Sequence, residues 1–236
     1  MLIVPQNSPI TSNLAANLQI VRARIAAAAD AAQRSVDSVT LVAVSKGHAA
    51  EMVRAVASSG VRDFGESYLQ EAGAKMDELR ALALTWHFIG RLQANKTRPI
   101  AEQFDWVHGV DRLKIAERLS EQRPHYAAPL QVCLQVNIGA EGAKAGIEPA
   151  EAASLAAAVR ELPRLSLRGL MCILPADAEP RRQRALFHEL WQLRAHLNEL
   201  GSDLDTLSMG MSADYPEAIL EGATLIRVGT AIFGAR

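Results

Sequence analysis

The chain has 236 residues, enough for one large domain and the usual size of a single α/β barrel. Lys and Arg number 25 against 26 Asp and Glu, a formal net charge of −1, and no basic block occurs. This balance argues against a nucleic-acid or anionic-membrane footprint and makes small metabolites the expected partners. Cys133 and Cys172 lie inside apolar runs, as buried thiols of a reducing compartment do, so neither a disulfide nor a zinc site is expected. The first residues lack a basic segment leading into an apolar one, and no stretch reaches the roughly 18 apolar residues of a membrane span. A cytoplasmic protein is expected.

After a polar leader, residues 11–36 are Ala-rich with Leu14, Leu18, Ile20, Val21 and Ile25 at helical spacing, which predicts an N-terminal helix. Eight short β-prone runs follow, at 39–45, 61–65, 85–90, 106–110, 130–138, 166–174, 204–209 and 224–228. Helical segments alternate with them, near 49–59, 67–83, 92–102, 111–122, 149–162, 180–200 and 214–221, with a terminal turn from about Ala231. Pro149 suits a first helical turn, Asp214 with Glu217 makes a capping box, and Gly201 and Gly222 suit helix C-termini. Eight right-handed βα units favour closure into one (β/α)8 barrel, residues 36–236, with residues 1–35 as a leader and helix packed on it. An open doubly wound sheet is the structural alternative.

In a barrel the chemistry sits where strands end. Lys46 closes the first strand among apolar neighbours, where a desolvated amine becomes available for a Schiff base with an aldehyde; a lysine merely snorkelling at a strand end reads the same way. Arg227 interrupts the apolar eighth strand and needs a specific partner if it faces inward. Gly229 and Thr230, with Ser208 and Ser212 after the seventh strand, put small donors at helix starts, as a phosphate cradle does and as plain turn and capping residues also do. Among other candidates, Glu71 and Lys75 read as a solvated helix pair, His87 as a satisfied core histidine, and Trp86, Trp106 and Trp191 as core or packing residues. His125, His188 and His196 lack metal-ligand spacing, and no metal is expected.

The runs Val44-Ser45-Lys46, Phe64-Gly65-Glu66-Ser67-Tyr68, Trp86-His87-Phe88-Ile89-Gly90, Gln135-Val136-Asn137-Ile138, Lys144-Ala145-Gly146, Ser208-Met209-Gly210-Met211-Ser212 and Arg227-Val228-Gly229-Thr230 resemble, in order, the pyridoxal phosphate homeostasis protein family. The resemblance spans about residue 36 to the C-terminus. It implies a barrel similar to the N-terminal domain of alanine racemase, pyridoxal 5′-phosphate as cofactor, and Lys46 as the Schiff-base lysine. It also implies that Arg227 faces the pyridine nitrogen and that Ser212, Gly229 and Thr230, with Ser208 near them, hold the phosphate. Two positions depart from the family's pattern: Gly47-His48 follows Lys46 where Thr and a nearby Pro are usual, and Ser67 replaces Asn. These put the order of the lysine loop and the cofactor affinity in question.

The expected function is that of a carrier: a monomer holding pyridoxal 5′-phosphate for vitamin B6 and amino-acid homeostasis, with pyridoxal-phosphate-dependent apoenzymes as partners and no dedicated catalysis. An arginine can only donate to the ring nitrogen, which leaves the cofactor a poor electron sink, and the chain ends just after the eighth unit without a racemase second domain. One alternative is a single-domain racemase or decarboxylase using Tyr68, His87 or Lys144 as acid or base. Another is a Schiff-base lyase or sugar-phosphate barrel without the cofactor.

Overall fold

A computed structural model describes residues 9–139, 145–175 and 178–235. Helix α1 (Pro9–Ala31) precedes eight strand–helix units: β1 (Thr40–Val44), α2 (Ala50–Ser58), β2 (Asp63–Glu66), α3 (Leu69–Leu79), β3 (Thr85–Phe88), α4 (Thr97–Gln103), β4 (Trp106–Val110) and α5 (Leu113–Gln122) form the first half. The second half is β5 (Leu130–Gln135), α6 (Ala152–Arg160), β6 (Leu165–Met171), α7 (Pro180–Glu199), β7 (Thr206–Ser208), α8 (Tyr215–Leu220), β8 (Leu225–Val228) and α9 (Thr230–Phe233). Every strand pairs in parallel with its neighbours and β8 returns to β1, so the sheet closes and the open-sheet alternative falls.

Strands buried on both faces read as apolar runs, which is why all eight were legible. Register fixes what each strand brings to the mouth: Val42 lies opposite Arg227 and Ala43 opposite Val228, so the ends of β1 and β8 emerge together. Helix α1 is extra to the barrel. Its buried stripe of Leu14, Leu18, Val21 and Ile25 packs on α2, α8 and α9, and Asn17 Nδ2 donates to the Ile232 carbonyl at 3.0 Å. Among the described residues no helix is long and apolar enough to cross a membrane.

One local expectation is corrected. Asp214 does stand at the start of α8, but its side chain makes no cap to that helix; Oδ1 instead accepts from the Met211 amide at 2.6 Å, tightening the loop behind it. Trp191 packs at the surface rather than in the core: it is 38% exposed and stacks on His188, lying across Gly222. Gly201 and Gly222 do follow α7 and α8 with φ of 84° and 94°.

Gly169 of β6 lies against Thr206 of β7 so closely that a Cβ would overlap the Thr206 carbonyl, whereas one on Gly201 would meet nothing. Gly169→Ala is expected to lower the unfolding free energy by about 3 kcal/mol or to prevent folding, as overpacking against backbone does. Gly201→Ala should cost about 1 kcal/mol, through its positive φ alone. Urea denaturation of the two variants checks the difference.

Candidate functional site

At the C-terminal mouth, Lys46, Arg227, Ser212, Gly229 and Thr230 line one cavity of about 310 Å3, walled on its apolar side by residues such as Val44, Ile89 and Ile173. That volume is in the range of small-molecule pockets. The convergence has a simple cause. Lys46 lies two residues beyond β1, Gly229 and Thr230 just beyond β8, and Ser212 in the loop after β7, three consecutive strands of the closed sheet.

Ser212 does not cap its own helix. Its hydroxyl crosses to the next loop, accepting from the Gly229 and Ala231 amides at 3.2 and 3.3 Å, so the loops after β7 and β8 are held as one surface. Ser208 stands apart from the other sequence-predicted residues. It is fully buried, and its Oγ is taken by Arg227 Nη1 at 2.6 Å and His108 Nδ1 at 2.7 Å, behind the cavity that Ser212, Gly229 and Thr230 line.

Arg227 is buried, with Nη1 also donating to the Ser208 carbonyl at 2.7 Å and Nη2 to the Cys172 carbonyl at 2.8 Å. These are the specific partners its place in an apolar strand demands, and all are neutral. Burial pushes its pKa below the usual arginine value, though a guanidinium stays charged in proteins. Burial likewise pushes the Cys133 and Cys172 thiols up to about 12, so neither sulfur supplies a counter-charge.

The loop carrying Lys46 is clamped on both sides. Ser45 Oγ donates to Glu66 Oε1 at 2.6 Å, and Lys75 Nζ donates to that same oxygen and to the Ser45 carbonyl, each at 2.7 Å. Lys75 also reaches Glu71 Oε1 at 2.5 Å, and Glu71 Oε1 accepts from the Gly47 amide at 2.6 Å. Glu71 and Lys75 are therefore not a solvated pair, because Lys75 is only 5% exposed and anchors a buried network. The signal was present in the sequence: Ala72, Lys75 and Leu79 share the buried stripe of α3, and i,i+4 charge pairing hid it. Burial raises the Glu66 carboxyl above its usual range, while Lys75 and Ser45 pull it back.

Gly47 adopts φ +78°, so the departure after Lys46 answers a left-handed turn, and its amide bond to Glu71 ties the loop. His48 stacks on Phe233 of α9, with centroids 5.1 Å apart.

A second cavity of about 620 Å3 adjoins on the other side of Lys46, lined by Tyr68, Arg91 and Lys96 among others. His87 is a satisfied core histidine, bonded to Asp63 and His108. Lys144 lies outside the described residues. His108 was not legible as a site residue. Its one sequence signal is that it is the third residue of β4, as His87 is of β3.

The family model described as alanine racemase, N-terminal domain, matches residues 12–236. A pyridoxal phosphate homeostasis protein of Pseudomonas aeruginosa is 57% identical over 225 residues, covering 95% of this chain and 96% of the relative. PipY of Synechococcus elongatus, solved with PLP bound, superposes with a TM-score of 0.82 at 39% identity, over 94% of this chain and 100% of that one. Alanine racemase of Corynebacterium glutamicum, at 16% identity and a TM-score of 0.71 over 96% of this chain and 62% of that one, shares the fold. The chain thus belongs to the pyridoxal phosphate homeostasis proteins, within the family of the alanine racemase N-terminal domain.

Proposed function

We propose that this chain holds pyridoxal 5′-phosphate in the cavity at the mouth of its barrel, covalently through Lys46, and acts in the cytoplasm as a monomeric carrier of the cofactor for pyridoxal-phosphate-dependent apoenzymes. The observation that carries the reading is the meeting of Lys46, Arg227 and the Ser212–Gly229–Thr230 surface in one 310 Å3 cavity. That donor set fits the group: a primary amine for an aldehyde, a permanent cation for a ring acceptor, and hydroxyls with backbone amides for a phosphate. PLP bound to PipY, a relative at 39% identity, supports it.

Pyridoxal 5′-phosphate, when bound, supplies an electrophilic aldehyde and, in enzymes that protonate its ring, an electron sink. The chain's own residues do the rest. The Glu66–Lys75–Glu71 clamp fixes the backbone on either side of Lys46, so the amine is offered from a defined loop. Ser212 holds the loops after β7 and β8 together, presenting Gly229 and Thr230 as one anion-binding face. Arg227 has only donors to offer, so an acceptor set against it stays unprotonated, which favours holding the cofactor over carbanion chemistry.

A racemase or decarboxylase remains the competing reading on one observation: Tyr68 and Lys46 line the same neighbouring cavity.

Titration with pyridoxal 5′-phosphate should give the wild type a new visible absorption band that Lys46→Ala lacks, and borohydride reduction should leave the adduct on the Lys46 peptide. No band, or an unchanged band in Lys46→Ala, would sink the reading. Steady turnover of any amino acid that is lost in Lys46→Ala would replace carrier by enzyme.

Ser212→Asp, which sets a carboxylate where the anion is expected, should raise the Kd for pyridoxal 5′-phosphate by about 10-fold or more while changing that for pyridoxal less; equal effects on both would contradict the phosphate assignment. Lys75→Met strands the buried Glu66 carboxylate and should lower the unfolding free energy by about 3 kcal/mol, measured by denaturant titration.

A further inference from the structure

Arg227 is where the cavity meets the barrel interior. Three of its five N–H groups are used on Ser208 Oγ and on the carbonyls of Ser208 and Cys172, which leaves Nε and one Nη2 proton for the cavity it lines. Because a guanidinium cannot accept, the sense of its bond to Ser208 is fixed: the hydroxyl oxygen accepts, and its own proton goes to the other neighbour, His108 Nδ1, at 2.7 Å. His108 is fully buried, and burial, then His87 and Arg227, hold its pKa well below the usual histidine value, so the ring is neutral. With Nδ1 accepting, its proton sits on Nε2 and is donated to His87 Nδ1 at 3.0 Å; His87 Nε2 then donates to Asp63 Oδ1 at 3.0 Å.

With one proton on each ring, this sense alone gives the Asp63 carboxylate a donor; reversal would turn a bare histidine nitrogen towards it and a second proton towards Ser208. The chain also spans the barrel. Ser208 is the last residue of β7, at the mouth, and Asp63 the first of β2, at the opposite end, where its side chain is 28% exposed beside a separate cavity of about 310 Å3 lined by Thr40, Trp106 and Arg168. Trp106 stacks on His87 with centroids 5.5 Å apart, covering the middle of the chain.

We propose that Ser208, His108, His87 and Asp63 are positioning residues for Arg227. They form a one-way hydrogen-bond chain, anchored on a carboxylate at the far face, that decides which guanidinium donors are spent inside the barrel and which serve the cofactor. Each bond polarises the next, so the Asp63 charge offsets, at a distance, a buried cation that among the described residues has no carboxylate in hydrogen-bond contact. The proposal rests on the reading that pyridoxal 5′-phosphate occupies the Lys46 cavity.

The test has an arm that needs no cofactor. Long-range 1H–15N spectra of the unliganded protein near neutral pH should show the His108 proton on Nε2 and none on its Nδ1, and Asp63→Asn should mix the His87 tautomers. A proton on His108 Nδ1 would overturn the chain. In the second arm, His108→Phe should raise the Kd for pyridoxal 5′-phosphate about 10-fold and displace the bound absorption band. His108→Gln, which can still accept and donate, should stay within about 3-fold of the wild type, and Asp63→Asn should raise the Kd about 3-fold with little change in Tm. A wild type that binds, with all three variants like it in Kd and spectrum, overturns the positioning role alone. A wild type with the expected tautomers that binds no pyridoxal 5′-phosphate overturns that role together with the reading beneath it. If His108→Phe does not fold, Asp63→Asn decides, since it lies outside the cofactor cavity and keeps its hydrogen bond.

Discussion

A positive charge buried at the mouth of a closed barrel is the constraint around which the rest of the molecule is arranged. Arg227 lies in the eighth strand between Ile226 and Val228, both fully buried, and water cannot satisfy the part of its guanidinium that faces the barrel interior. Carbonyls at the ends of β6 and β7 and the Ser208 hydroxyl do so instead, which requires those strands to end at the right height beside β8. The Gly169–Thr206 contact that lets β6 and β7 approach so closely is part of the same requirement. Left unpaired, such a cation would cost several kcal/mol, so strand register and charge satisfaction select each other.

The lysine on the other side of the cavity is treated differently. Lys46 is only half-buried, and what the structure spends on it is backbone order: one buried carboxylate, one buried lysine and one half-buried glutamate hold Ser45 and Gly47. Arg227 is thus fixed at its side-chain head and Lys46 at its backbone.

The barrel was legible because parallel strands buried on both faces leave apolar runs that alternate with amphipathic helices; all eight runs became strands, with no end shifted by more than three residues. The residues that meet at the cavity were legible too, since polar or small residues at strand ends stand out against apolar neighbours. Illegible was whatever depends on contacts between elements distant in the chain. Lys75 looked like half of a surface pair until β1 and β2 were seen beneath it, and Ser208 looked like a second phosphate ligand until His108, 100 residues away, claimed its hydroxyl. Asp214 matched a capping pattern whose spacing was right but whose carboxylate turned back to Met211. In each case local spacing was read correctly, and a partner from another strand or loop changed its meaning.

The tie between Asn17 and the Ile232 carbonyl joins positions 215 residues apart, and the β1–β8 pairing closes a comparable loop. The barrel therefore has a seam, and the cavity straddles it: Lys46 lies on the early side, Thr230 on the late side. During synthesis the lysine emerges long before its counterparts, so the cavity cannot form until β8 is available to close on β1, a pairing of high sequence separation. A small molecule held across that seam binds only the closed form and stabilises it by mass action, which makes cofactor supply a term in the protein's own folding equilibrium.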